Sequence, residues 1–147
     1  MGKQVVGQSK PFGAEQAAKV LVVEDNDVNA MVLIEMMKLV ASRMTMSLEI
    51  EVARTAEEAR LKWPKDGESM VLLDINLPDG RGDEVCKDMT QDASMHKRPF
   101  VVCVSADVSN MHVESMRSFG IDRCLPKPVH VPLLAEHVME WNRRRVD

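Results

Sequence analysis

Three runs of the chain are almost purely aliphatic: VLVV at Val20–Val23, MVLL at Met70–Leu73 and FVVCV at Phe100–Val104. An apolar run of four or five residues is too short for a typical helix, and as a strand it is apolar on both sides. Such a strand must be covered on both faces, which a parallel sheet between two layers of helices achieves. The intervening segments have the helical period. Ala30, Leu33, Ile34, Met37 and Ala41 share one face between Asp27 and about Ala41, and Val131, Leu134, Val138 and Trp141 form a stripe near the end. Between these lie a strand at Leu48–Ala53, a short helix opened by Thr55 and stopped by Pro64, a helix from Gly82 to about Met89, a helix from Val108 to Phe119 closed by Gly120, and a shorter strand at Ile121–Leu125. Asp25 or Asn26 is placed to cap the first helix. Five βα units with right-handed crossovers give an α/β fold, a doubly wound five-stranded parallel sheet of order 2-1-3-4-5. Residues 1–18, which mix Gly, Gln, Lys and Pro with little periodicity, read as a flexible N-terminal tail ahead of one domain over 19–147.

The length of 147 residues, 45% of them hydrophobic, suits a single core. A net charge of −4 gives no bulk attraction to nucleic acid. No apolar run approaches the ~20 residues that span a bilayer, so no membrane insertion and a cytoplasmic location are expected. Cys86, Cys103 and Cys124 lack CxxC spacing and sit in or beside apolar runs; they read as small core residues in a reducing compartment.

In the 2-1-3-4-5 order, ligands bind outside the carboxyl ends of the strands, where strand order reverses. Strand one ends in Glu24–Asp25 and strand three in Asp74; strands four and five lead into Ser105 and Lys127. Three carboxylates, a hydroxyl and an amine therefore gather from separate segments. Two carboxylates ~4 Å apart repel by roughly 4 kcal/mol at an effective dielectric near 20. A proton or a cation must relieve this, and hard oxygen ligands favour Mg²⁺. A cation, an amine and a hydroxyl together can hold phosphoryl oxygens, and an aspartate carboxylate can accept a phosphoryl group by nucleophilic attack.

Four motifs in order, VLVVEDNDVNAMVL, LLDINLPDGRG, VVCVSAD and CLPKP, make residues 19–142 resemble the receiver domain of two-component response regulators, particularly receivers attached to hybrid histidine kinases. The resemblance implies a flavodoxin-like receiver with Asp74 as phosphoacceptor. Glu24, Asp25, Asp74 and the backbone carbonyl of Asn76 would hold Mg²⁺. Ser105 and Lys127 would each bind a phosphoryl oxygen, and the peptide before Pro128 would be cis. It further implies Mg-dependent phosphotransfer from the phosphohistidine of a sensor histidine kinase or histidine phosphotransfer protein. The surface around residues 105–142 would then switch toward a downstream effector. Cys124 stands where the family usually has an aromatic residue, so signalling is expected to depend on Ser105 and its following loop.

The alternatives are a non-phosphorylated interaction domain of the same fold, a small phosphatase working through an aspartyl-phosphate, and a flavin binder. Asn76 stands where such a phosphatase needs a second acid, and the acidic EDNDVN loop opposes flavin phosphate. The chain is therefore expected to be a signalling domain, not an enzyme with an external substrate. His96, His112 and His130 read as surface or loop residues, and His137 as a flank of the last buried stripe.

Overall fold

The computed structural model describes residues 4–6, 17–91, 98–107 and 113–146. Its elements are β1 (Gln4–Val6), β2 (Ala18–Val23), α1 (Asp27–Arg43), β3 (Leu48–Ala53), α2 (Ala56–Lys62), β4 (Met70–Asp74), β5 (Asn76–Leu77), β6 (Gly80–Arg81), α3 (Gly82–Gln91), β7 (Phe100–Ser105), α4 (Val113–Ser118), β8 (Arg123–Pro126) and α5 (Val131–Val146). The main sheet runs β1-β3-β2-β4-β7-β8. Its five parallel strands follow the expected 2-1-3-4-5 order, with every pair from β3 to β8 in parallel register.

The alternation along each strand explains the two helix layers. Val20, Val22, Met70, Leu72, Phe100, Val102 and Val104 face a cluster completed by α1 and α5, with Met37, Leu134, Val138 and Trp141 at its centre. Leu21, Val23, Val71, Leu73, Val101 and Cys103 face the opposite cluster, roofed by α2, α3 and α4 through Ala56, Ala59, Val85, Cys86 and Met116. A strand buried on both faces has no polar side to show, hence the unbroken runs in the sequence.

The helix signals resolve in detail. Asn26, not Asp25, caps α1: its side chain accepts from Asn29 N at 2.9 Å. Thr55 caps α2 by accepting from Glu58 N at 3.0 Å. After α4, Gly120 adopts φ +88°; its amide donates to Arg117 O and the Ile121 amide to Met116 O, the paired bonds of a Schellman turn.

Three features differ from the sequence expectation. Residues 4–6, assigned to the tail, form a strand antiparallel to β3, with Val5 opposite Glu49. They pair an edge that would otherwise expose its hydrogen-bonding groups. Ala18, also assigned to the tail, begins β2; residues 1–3 and 7–16 lie outside the described residues, as do His96, His112 and residues 108–112, where the helix before Gly120 is expected to begin. Cys103 and Cys124 are not independent core thiols. They are joined by a disulfide across β7 and β8, and only Cys86 is free among the three.

Candidate functional site: an acidic edge facing a lysine

The carboxyl ends of β2 and β4, adjacent in the sheet, bring Glu24, Asp25 and Asp74 together. One carboxylate oxygen from each lies within 4.8 Å of the others. Glu24 and Asp74 are buried, at 1% and 5% exposure, whereas Asp25 faces solvent. From the far end of β8, Lys127 reaches across: its Nζ is 3.3 Å from Asp74 Oδ2 and 3.4 Å from Glu24 Oε1. The Lys127–Pro128 peptide is cis, as the resemblance implied. Lys127 N donates to Ser105 O at 2.9 Å, tying the end of β8 to that of β7.

Three strand ends solve the same local problem alike. Glu24 accepts the Asn26 amide at 3.0 Å, Asp74 accepts the Asn76 amide at 3.2 Å, and Ser105 Oγ accepts the Asp107 amide at 3.1 Å. Each is a side-chain oxygen taking the N–H two residues on, where the chain leaves the sheet and the ladder can no longer satisfy the backbone. Two of these oxygens belong to carboxylates. The third holds the Ser105 hydroxyl to its own loop.

The electrostatics follow from this crowding. Burial raises the proton affinity of Glu24, opposed by the Asn26 amide and reinforced by Asp74. For Lys127, partial burial alone would lower the pKa. The charges of Asp74 and Glu24 outweigh it, and the net shift is upward. Three carboxylates against one ammonium leave two uncompensated negative charges. The donors are hard oxygens, one of them on an exposed side chain. That set fits a small divalent cation and offers nothing to a soft metal.

The loop after Asp74 is fixed by contacts that the sequence reading did not foresee. Asp79 accepts the amides of Ala56 and Glu57 at 2.6 and 3.0 Å, joining the loop to the start of α2. Those two amides hold the Asp79 carboxyl below the usual aspartate range. β5 and β6 form a two-stranded hairpin, and Gly82 N donates to Ile75 O at 2.8 Å. A Cβ at Gly82 would collide with the Asp74 carbonyl oxygen, so only glycine permits this close return. A hydroxyl just before a helix start, as Thr55 in TAEE after strand β3, is the local cap that sequence can reveal; the capping acid here arrives from more than twenty residues away.

The family described as "Response regulator receiver domain" matches residues 20–139. The chain belongs to this family. Receiver domains are signalling modules of two-component systems. Among relatives, the aerobic respiration control sensor protein ArcB of Escherichia coli K12 is 31% identical over 126 residues, covering 85% of this chain but 15% of ArcB. The chain thus spans a small fraction of that relative's length. Among solved structures, the receiver domain of sensor histidine kinase PA1611 from Pseudomonas aeruginosa PAO1 has a TM-score of 0.69 at 19% identity, covering 86% of this chain and 98% of that one. It was crystallised with a magnesium ion in its active-site cleft. A co-crystal structure of the Saccharomyces cerevisiae phosphotransfer protein Ypd1 with the receiver domain of Ssk1 gives a TM-score of 0.66 at 24% identity, over 85% of this chain and 88% of that one. Among the described residues, no helix is long and apolar enough to cross a membrane.

Proposed function

We propose that this receiver domain takes a phosphoryl group onto Asp74 from a partner's phosphohistidine and later releases it to water. The observation that carries this reading is the convergence of Asp74 with Glu24, Asp25 and Lys127. An Asp74 oxygen attacks phosphorus in line with the leaving imidazole. The phosphorus–nitrogen bond breaks as the new oxygen–phosphorus bond forms, giving an acyl phosphate. Lys127, already 3.3 Å from Asp74, is placed to pair with a phosphoryl oxygen as charge arrives there. A Mg²⁺ ion held by Glu24, Asp25, Asp74 and the backbone carbonyl of Asn76 would supply the remaining charge compensation. Hydrolysis reverses the logic: water attacks phosphorus, the bond to Asp74 breaks, and phosphate leaves.

The switch is assigned to Ser105. Its hydroxyl accepts the Asp107 amide and keeps its own proton to donate; in this reading it turns from that amide toward a phosphoryl group on Asp74. The new phosphate adds about 1.5 to 2 negative charges and favours the released state. The loop after Ser105 then moves, altering the surface through residue 142 that an effector reads.

The donor is inferred to approach over α1. Val28 and Met31 are 68% and 63% exposed beside the acidic edge. Val32 and Met36 line a groove of about 430 Å³ that also reaches Glu24, Lys127 and Val129. An apolar rim next to a charged centre suits a helix that presents one phosphohistidine. Acetyl phosphate with Mg²⁺ is expected to label the wild-type chain and to leave Asp74→Asn unlabelled, with both proteins folded by circular dichroism. Undiminished labelling of the variant would refute the assignment.

A further inference from the structure

We propose that Cys103 and Cys124 are a thiol–disulfide pair through which a cellular redox couple controls the conformational response of the site. The inference rests on the phosphoacceptor reading for what is controlled; the redox chemistry stands apart from it. Three placements carry it. Cys103 and Cys124 occupy directly opposed positions of the parallel β7–β8 ladder and are bonded there. β8 is four residues long, lies at the end of the sheet and, among the described residues, has β7 as its single strand neighbour, so the bond secures the strand that delivers Lys127. Ser105 follows Cys103 by two residues and Lys127 follows Cys124 by three. The cross-link therefore lies just beneath both groups that must answer a new phosphate.

Access is asymmetric. Cys103 is fully buried, whereas Cys124 is partly exposed. Met116 of α4 rests against it, Sδ to Sγ 2.9 Å, so the pair also touches the helix of the readout surface. Exchange begins at Cys124. Its thiolate attacks one sulfur of a disulfide carried by a small thiol or a protein dithiol. A mixed disulfide forms and one thiolate leaves. The Cys103 thiolate then attacks Cys124 Sγ and expels the second. The two cysteines lose two electrons and two protons, and the incoming disulfide becomes two thiols. Cys86 takes no part: it is buried, and burial pushes its thiol up to about 12.

The consequence concerns motion. With β8 covalently fixed to β7, Ser105 keeps its bond to the Asp107 amide, the arrangement seen here, and Asp74 can be phosphorylated without transmitting the change to α4. Reduction frees the two strands to shift.

The test uses the full wild-type chain equilibrated with glutathione disulfide or with dithiothreitol, acid-quenched, denatured and alkylated. One modified cysteine is expected after oxidation and three after reduction, with peptide mapping placing the bond between Cys103 and Cys124. Beryllofluoride with Mg²⁺ is then added to ¹⁵N-labelled protein in each state. Amide shifts at 104–107 and 116–125 are expected in the reduced form and their loss in the oxidised one. Cys124→Ala should respond under both conditions. Three alkylated cysteines after oxidation, or equal shifts in both states, would overturn the proposal. Acetyl-phosphate labelling in parallel separates the two ideas. No label at Asp74 in either state sinks the phosphoacceptor reading and the coupling with it, whereas a normal label with equal shifts sinks the redox control alone.

Discussion

The two walls of the site are built differently. Glu24 and Asp74 stand on the central strands β2 and β4, and each carboxylate is fixed by an amide two residues on. The opposite wall, Ser105 and Lys127, stands on β7 and the edge strand β8. It is held by the bond between Lys127 N and Ser105 O and by a disulfide. The acidic wall is pinned by short-range contacts within the sequence and has little freedom. The other has the same local bond at Ser105 and is joined in addition by contacts across strands, which a chemical event can remake. The lesson is a division of labour: one wall defines where charge must go, and the other changes when it arrives.

Substitutions that exchange these behaviours sharpen the contrast. The largest effect is expected from Lys127→Ala. It leaves the buried Glu24 and Asp74 facing each other without an ammonium. Removing one partner of a buried pair costs about 3–5 kcal/mol; Lys127 is 30% exposed, so about 1–3 kcal/mol is expected here, read by urea unfolding in EDTA. No loss would mean that the two walls are not electrostatically joined.

Next comes Glu24→Gln. Burial raises the pKa of Glu24 in the folded state, so its ionisation opposes folding. The stability it contributes is fully present below the unfolded value of 4.5 and is lost as pH rises through the folded value. In EDTA the variant should melt higher than wild type near neutral pH and show a flatter decline as pH rises above 4.5. It should also bind Mg²⁺ roughly tenfold more weakly, about 1.4 kcal/mol, by calorimetric titration. A wild-type pH profile in the variant would mean that Glu24 is not the strained member of the cluster.

The smallest effect is expected from Asn26→Ala, which removes the α1 cap. It should cost about 0.5–2 kcal/mol of stability while leaving acetyl-phosphate labelling intact. A lost label would show that the cap, not the carboxylates, organises the acidic wall.

The sequence exposed the parts of this design that are local. The aliphatic runs demanded a covered parallel sheet, and the strand order then placed Glu24, Asp25, Asp74, Ser105 and Lys127 at one edge. What stayed hidden depends on pairings between distant segments. Gln4–Val6 is three residues in a segment with little periodicity, and it becomes a strand because β3 offers an open edge. Asp79 is unremarkable beside Gly80 until the fold brings it to Ala56 and Glu57. The disulfide required register as well as order. Cys103 and Cys124 lie on strands the sequence made neighbours, yet they meet only because Val102 pairs with Arg123 and Ser105 with Pro126.

The most direct measurement traps the phosphoryl adduct. The chain is treated with acetyl phosphate and Mg²⁺, reduced with borohydride and digested, and the modified residue is located by mass spectrometry. Conversion of Asp74 to homoserine, dependent on both Mg²⁺ and acetyl phosphate, is the expected result. Conversion at another carboxylate, or none in a folded protein that binds Mg²⁺, would contradict the role given to this edge.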